Sequence, residues 1–339
     1  MTPLEGAVGA ATGALLGLAI GDAMGHPTEF DTMAGITAGC PDWRRLPLPD
    51  PARVTDDTQM TLALGRALRT ALERGPLTPL RLERPLREEF VDWWRSPENT
   101  RAPGRTCMRS CWRLSQDGRR WQEASDVGSK GCGANMRVAP LGLVRELTPA
   151  QLSGAAQLQS GLTHGHPTAL AASVLTAHTV RLLADGTAPA DLPGLLRAYA
   201  TGQRGRYDAF WLGDLVAHSQ DPSAEAFATR GWDECLFVLD RLDAALARPS
   251  LDTDPCDITG AGWIAEEAFA TGLLCFLLLP DEPVAAVRRA AFSSGDSDSI
   301  ACLTGAFAGA RHGSAAWPAE WAERIEYRDE LLALGALWD

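Results

Sequence analysis

The sequence predicts an all-α protein, a single compact domain of many packed helices spanning residues 1–339. Two observations carry this. Alanine and leucine dominate, with apolar residues recurring at intervals of three and four, and the period-two alternation of Val, Ile, Thr and Tyr that marks strands is nearly absent. The first helix places Ala7, Ala10, Ala11, Ala14, Leu15 and Leu18 on one face and is stopped by Gly25 and Pro27. Further helical segments follow at 59–73, 85–95, 106–117, 149–160, 167–184, 191–201, 222–229, 231–247, 262–279, 283–292, 299–311 and 318–335. The breaks at 41–53, 96–105 and 248–261 are rich in Pro, Gly and Asp and read as loops. No internal repeat or low-complexity linker divides the chain. Glycine and alanine crowd two helices, at Gly9–Ala14 and Gly305–Ala310. Because an interior glycine costs a helix about 0.5–1 kcal/mol relative to alanine, such runs point to backbones that approach closely.

The chain carries 31 basic against 43 acidic residues, a net charge of −12. A surface this acidic argues against a nucleic-acid groove or an anionic membrane as the main partner. No uncharged apolar run is long enough to span a bilayer. The N-terminal stretch lacks a basic region and contains Glu5 and Asp22, which makes it a poor signal peptide. The eight cysteines include no C-x-x-C pair and read as reduced thiols in a cytoplasmic protein, expected to be a monomer.

Two acidic clusters stand out at opposite ends of the chain. They are Thr55-Asp56-Asp57-Thr58 and Gly295-Asp296-Ser297-Asp298-Ser299, each followed at once by a helical apolar run. Asp, Ser and Thr favour helix N-caps and first turns, so capping accounts for one acid in each cluster but not for two. Carboxylates with interleaved hydroxyls are hard oxygen donors suited to Mg²⁺, Mn²⁺ or Ca²⁺ rather than zinc. If the clusters meet, their mutual repulsion calls for a divalent cation.

Other positions carry weaker signals. Asp22 falls in the last turn of the first helix, where the macrodipole disfavours a carboxylate; it is either simply exposed or a partner held beside the metals. Glu29 lies in Gly25-His26-Pro27-Thr28-Glu29-Phe30, which reads as a loop, and its carboxylate reads as solvated unless it serves as a general base. Glycines at 128, 131 and 133 suit a phosphate-cradling nest, to which Lys130 or Arg137 would add charge, although turn-making is the default. His164 and His166 precede a further helix, without an obvious soft third ligand for zinc; phosphate contacts or helix capping are preferred.

Taken in order, these motifs resemble the ADP-ribosylglycohydrolase family over roughly residues 5–313. The resemblance rests on Gly17-Leu18-Ala19-Ile20-Gly21-Asp22-Ala23-Met24-Gly25, then Glu29, Thr55-Asp56-Asp57-Thr58 and Gly131-Cys132-Gly133-Ala134-Asn135-Met136-Arg137. It continues through Thr163-His164-Gly165-His166-Pro167, Gly262-Trp263-Ile264-Ala265-Glu266-Glu267-Ala268 and Gly295-Asp296-Ser297-Asp298-Ser299. It implies an all-α domain with two Mg²⁺ ions, or Mn²⁺, in a central cleft. By position, Thr55, Asp56, Asp57, Asp296, Asp298 and Ser299 would be the metal ligands. Glu29, on a flap, would place or deprotonate the attacking water, with Asp56 and Asp296 as its catalytic companions. Gly131, Cys132, Gly133, Ala134, Asn135, Met136, His164 and His166 would hold the diphosphate of ADP-ribose. Two positions depart from the family pattern: Ser299 replaces a common threonine, and Lys130-Gly131-Cys132-Gly133 replaces a common Gly-Asn-Gly.

The expected function is hydrolysis of the glycosidic bond between ADP-ribose and a modified side chain, arginine leading, with serine-linked, O-acetyl or small-molecule adducts as further candidates. The alternatives are two-metal phosphoester hydrolysis, disfavoured because no H-D pair accompanies the aspartates, and a non-catalytic ADP-ribose-binding relative. A terpene-synthase-like site is disfavoured because Asp56-Asp57-Thr58-Gln59-Met60 lacks the third acid of D-D-x-x-D.

Overall fold

A computed structural model describes residues 9–339. The chain forms α1 (Ala10–Gly25), α2 (Met33–Gly39), α3 (Asp56–Glu73), α4 (Pro79–Arg95), α5 (Arg105–Leu114) and α6 (Trp121–Ala124). It continues with α7 (Ala139–Leu143), α8 (Pro149–Gly161), α9 (Pro167–Ala184), α10 (Leu192–Gln203), α11 (Ala209–Leu212) and α12 (Ala224–Leu246). The last third holds α13 (Pro255–Thr259), α14 (Ala265–Leu278), α15 (Pro283–Ala291), α16 (Ser297–His312), α17 (Ala319–Arg324) and α18 (Arg328–Trp338). Among the described residues there is no strand, only isolated bridges such as Gly131 with Ile264. The all-α expectation holds; the expected start of the first helix at Ala7 lies outside the described residues.

At the centre, α1 and α16 run antiparallel with their backbones touching. The register pairs Gly13 with Gly309, Gly17 with Gly305, Gly21 with Ala301 and Gly25 with Ser297. A methyl group added to any of these four α1 glycines would overlap the facing backbone. The four-residue spacing lines the glycines along one face, so the two glycine runs are a close-packed seam. Both helices are buried almost throughout, and the Trp317 indole closes the seam by donating to the Gly13 carbonyl at 2.8 Å. This register sets the C-terminal end of α1, with Asp22, beside the N-terminal end of α16, with Asp296 and Asp298.

Several boundaries differ from expectation, each through a contact distant in sequence or a stronger local cap. The fourth helix begins at Pro79, not at 85, because Thr78 caps it by accepting from Arg81 N, and Pro85 is carried in its interior. Helix α12 runs unbroken through Gly231 where two helices were expected; that glycine lets the helix lie against the Pro167 backbone. The expected 318–335 helix is two, turned at Tyr327, whose φ of 56° is left-handed. There Glu326 N donates to Ala52 O, while the Glu326 carboxylate accepts from Val54 N and pairs with Arg101, pulling the chain out of helix. The short helices α2, α6, α7, α11 and α13 were not anticipated, α13 lying inside the expected 248–261 loop. They are too brief for periodicity to register. All eight cysteines are free, seven of them buried, as small apolar residues would be.

Candidate metal and substrate cleft

Both acidic clusters sit at helix N-termini. The Thr55 hydroxyl caps α3 by accepting from Asp57 N at 3.3 Å, placing Asp56 and Asp57 in the first turn. Asp296 precedes α16 without a side-chain cap, and Ser297 and Asp298 form its first turn. Asp56, Asp57, Asp296, Asp298 and Ser299 converge on one cleft of about 400 Å³, together with Glu29. Thr55 is buried just behind it, its hydroxyl 3.4 Å from Asp57 Oδ1.

Asp22 explains how the first cluster is held. Its side chain is fully buried and accepts from Thr55 N at 3.0 Å, Thr58 N at 3.1 Å and the Thr58 hydroxyl at 2.5 Å. Of the two readings left open, exposure is excluded. An α1 carboxylate at the unfavourable end of its own helix is stabilised by the N–H groups of another.

So many carboxyls in one dry space disturb each other. Burial, reinforced by the charge of Asp298, holds Asp56, Asp57 and Asp296 well above the ordinary carboxylate range and lifts Asp22 to about 7. Glu29 is not solvated, contrary to the reading of its loop. Its side chain is 8% exposed, follows a 3₁₀ turn at His26–Thr28, and lies 3.7 Å from His26 Nδ1. Burial raises it to about 7, opposed by His26. His26, Glu29 and Asp298 each offer a ligand-capable atom within 4.8 Å of the others. Among the described residues Asp57 Oδ2 is buried with no hydrogen-bond partner, an expensive condition that a bound cation relieves. An oxygen-rich donor set with an orphaned carboxylate oxygen fits hard divalent cations.

The opposite wall is the glycine-rich segment. Gly131, Cys132, Gly133 and Met136 line the cleft with His164, which packs against both glycines. Burial lowers His164 to about 3, so the ring is neutral, and its Nδ1 lies 2.9 Å from the Thr163 hydroxyl. Ala134 and Asn135 sit behind this wall; the Asn135 amide donates to Ala265 O at 3.1 Å and anchors the loop. His166 turns away and caps α9, accepting from Thr168 N at 3.2 Å beside Arg230.

Neither of the cations beside the glycines lines the cleft. Lys130 is held between Glu234, at 2.6 Å, and Glu266. Arg137 is fully buried, donating to Gln159 Oε1, Gln159 O and the Thr163 hydroxyl, each at 2.8 Å, over the Phe90 ring. Both tie loop to scaffold. Their partners lie 22 to 136 residues away, beyond what spacing shows.

Sequence reasoning missed the third wall, formed by Ala102, Pro103, Gly104 and Arg105 at the end of the break assigned as a loop, with Thr106 at the start of the helix that follows. Gly104 N donates to Asp56 Oδ2 at 3.3 Å. It also missed the rim pair Phe30 and Trp263, stacked with ring centroids 5.2 Å apart. Phe30 is 67% exposed and held at φ 67°, an uncommon conformation for a non-glycine residue, and an aromatic next to Glu29 in a Pro- and Gly-containing loop was the available signal.

Comparison with known proteins identifies the family and the fold. The ADP-ribosylglycohydrolase family model matches residues 7–339. The chain is 36% identical over 187 residues to an ADP-ribosyl-[dinitrogen reductase] glycohydrolase of Rhodospirillum rubrum, covering 52% of this chain and 58% of that relative. The chain thus spans little more than half the length of that relative. It is 26% identical over 352 residues to ADP-ribosylarginine hydrolase Tri1 of Pseudomonas putida (strain GB-1), covering 98% and 78% respectively. A solved structure described as an ADP-ribosylglycohydrolase-related protein complex superposes with a TM-score of 0.67 at 25% identity, covering 96% of this chain and 95% of that one. The chain belongs to the ADP-ribosylglycohydrolase family.

Proposed function

We propose that this chain is a divalent-metal-dependent hydrolase that frees ADP-ribose from modified arginine side chains. The observation that carries the reading is the meeting of Asp56 and Asp57 with Asp296, Asp298 and Ser299 in one cleft, with a buried carboxylate oxygen left without a partner. The choice of arginine is supported by the near full-length likeness to an ADP-ribosylarginine hydrolase.

In this reading Thr55, Asp56, Asp57, Asp296, Asp298 and Ser299 hold two Mg²⁺ or Mn²⁺ ions. Bound there, the ions supply Lewis-acid polarisation of the distal ribose and its attacking water. The chain's own residues do the rest. Asp22 keeps the α3 N-terminus, and with it Asp56 and Asp57, in position through three donors. Glu29 enters from the flap side with a carboxyl raised to about 7, a value suited to taking a proton from water near neutrality. The wall of Gly131, Cys132 and Gly133 lets the backbone and the neutral His164 approach the diphosphate, and the Phe30–Trp263 pair closes the rim. Held this way, the anomeric carbon and the water are presented to each other rather than left to encounter.

The test is release of free ADP-ribose from ADP-ribosyl-arginine and ADP-ribosyl-serine peptides by the purified protein, with Mg²⁺, with Mn²⁺ and with chelator. Release from the arginine peptide that stops with chelator is expected. Release from the serine peptide alone overturns the linkage, and release that survives chelation overturns the metal role.

A further inference from the structure

We propose that Arg105 is a substrate-binding residue of this cleft, gripping the diphosphate of the ADP-ribosyl group. The inference rests on the ADP-ribosyl reading above and adds to it a residue for which neither motif nor spacing gave a signal. The lining holds five carboxyl groups, Glu29, Asp56, Asp57, Asp296 and Asp298. A doubly charged diphosphate entering such a space needs positive charge beyond what cancels the acids. Lys130 and Arg137 are committed elsewhere, as described above. Arg105 is the one Lys or Arg side chain in the lining. Among the described residues it makes no ion pair and no side-chain hydrogen bond, whereas Arg101 pairs with Glu326 and Arg109 with Asp126.

Its placement is specific. Arg105 is the first residue of α5, and its neighbours tie it to both working walls. On one side Gly104 N donates to Asp56 Oδ2 at 3.3 Å, next to the acids. On the other the Thr106 hydroxyl lies 3.0 Å from that of Ser129, at the start of the glycine-rich loop, and Cys107 Sγ lies 3.8 Å from Gly133 O. Arg105 is therefore anchored at the junction between the proposed metal ligands and the wall formed by Gly131, Gly133 and His164, its long side chain within reach of both. A diphosphate joining a ribose at the acids to an adenosine toward the rim crosses that junction. The planar fork of an arginine suits phosphate oxygens in two-point contact.

Calorimetry of ADP-ribose binding in Mg²⁺, at low and at physiological ionic strength, separates the possibilities for wild type, Arg105→Gln and Arg105→Lys. Expected is a loss of about ten- to a hundredfold in affinity for Arg105→Gln, the scale of a charge-assisted hydrogen bond, with a flatter salt dependence. Arg105→Lys recovers part of the loss by keeping charge without the fork. On the arginine peptide, KM rises with little change in kcat, whereas a merely structural role would leave the salt dependence of binding unmoved. If wild type fails to bind ADP-ribose, the functional reading falls and this inference with it. If wild type binds and Arg105→Gln matches it in affinity and salt dependence, the functional reading stands and Arg105 is excluded. Normal ADP-ribose binding with weakened turnover of a protein substrate reassigns Arg105 to the acceptor and equally overturns the proposal.

Discussion

The two halves of the acidic cleft look alike in composition but are held by different physics. At α3 the acids are positioned by polar contacts, through the Thr55 cap and the three donors that Asp22 accepts from Thr55 and Thr58. At α16 no side chain caps the helix, and Asp296 and Asp298 are positioned mainly by the seam in which α1 and α16 touch backbone to backbone, to which Ser297 adds a hydroxyl bond to Gly25 O at 2.9 Å and Asp296 N a bond to Ala261 O at 2.7 Å. Hydrogen bonds are directional and tolerate small movements of the groups behind them, while a close-packed seam has no slack. A single methyl group is therefore expected to disturb the α16 half, and a change of hydrogen-bonding character the α3 half.

The largest effect is one that both halves share. Asp56→Asn and Asp296→Asn each remove a proposed ligand, and each is expected to lower turnover about a thousandfold or more while the fold persists, the scale of several kcal/mol of charge stabilisation. Steady-state rates with circular dichroism of the folded variants check this; full activity in either variant would remove that half from the site.

Next is the seam. Gly21→Ala and Gly305→Ala put a methyl group into facing backbone and are expected to destabilise by about 1–3 kcal/mol or more, although alanine is the better helix former. Gly194→Ala in α10 is the control. It is exposed with nothing within 4 Å of the added group, and should stabilise by up to about 1 kcal/mol. Denaturant titration of the three variants measures the contrast, and equal signs at the three sites would dissolve the seam argument.

On the polar side, Asp22→Asn keeps the shape but weakens acceptance from Thr55 and Thr58. Metal affinity is expected to fall about ten- to a hundredfold, as for other groups that orient ligands without touching the ion. Calorimetry with Mn²⁺ reads this directly. Thr55→Ala, which also removes the cap, should cost about 1 kcal/mol of stability beyond any loss of metal.

A smaller effect follows from charge. Asp22, Asp56, Asp57 and Asp296 hold their protons more tightly folded than unfolded, because burial and neighbouring charge oppose ionisation. The stability they contribute in the metal-free protein is complete below the ordinary carboxylate range. It is lost as pH rises toward the folded values, about 7 for Asp22. With chelator, melting temperature should fall between pH 5 and pH 7 on this account; with Mg²⁺ the trend should flatten or reverse, because the cation favours the ionised carboxylates. The same downward slope with and without Mg²⁺ would argue against cation binding at these groups.

Much of the candidate site was legible because its signals are local. Paired acids with hydroxyls ahead of an apolar run mark a helix N-terminus wherever it lies, and Thr55, Asp56, Asp57, Asp296, Asp298 and Ser299 all came out at such ends. Asp22 was legible as an electrostatic misfit, though its resolution was not. On its local sequence alone Glu29 read as solvated, because a Pro- and Gly-rich loop suggests solvent, whereas here it folds a 3₁₀ turn that buries the carboxyl. The roles of Lys130 and Arg137 were left open for the complementary reason: a cation beside glycines can serve a phosphate or a turn, and only the folded chain brings Glu234, Glu266 and Gln159 to claim them.

By itself, then, the sequence determined the all-α class, the two acid-bearing helix starts and the glycine faces of α1 and α16, because capping, periodicity and side-chain size act within a few residues. Only the tertiary structure decided that those faces meet in a register bringing residue 25 to residue 297, that Asp22 is consumed in holding α3, and that Arg105 is the Lys or Arg residue that lines the cleft. Those outcomes depend on which distant groups compete for the same charge and the same space, and that competition exists only once the chain has closed on itself.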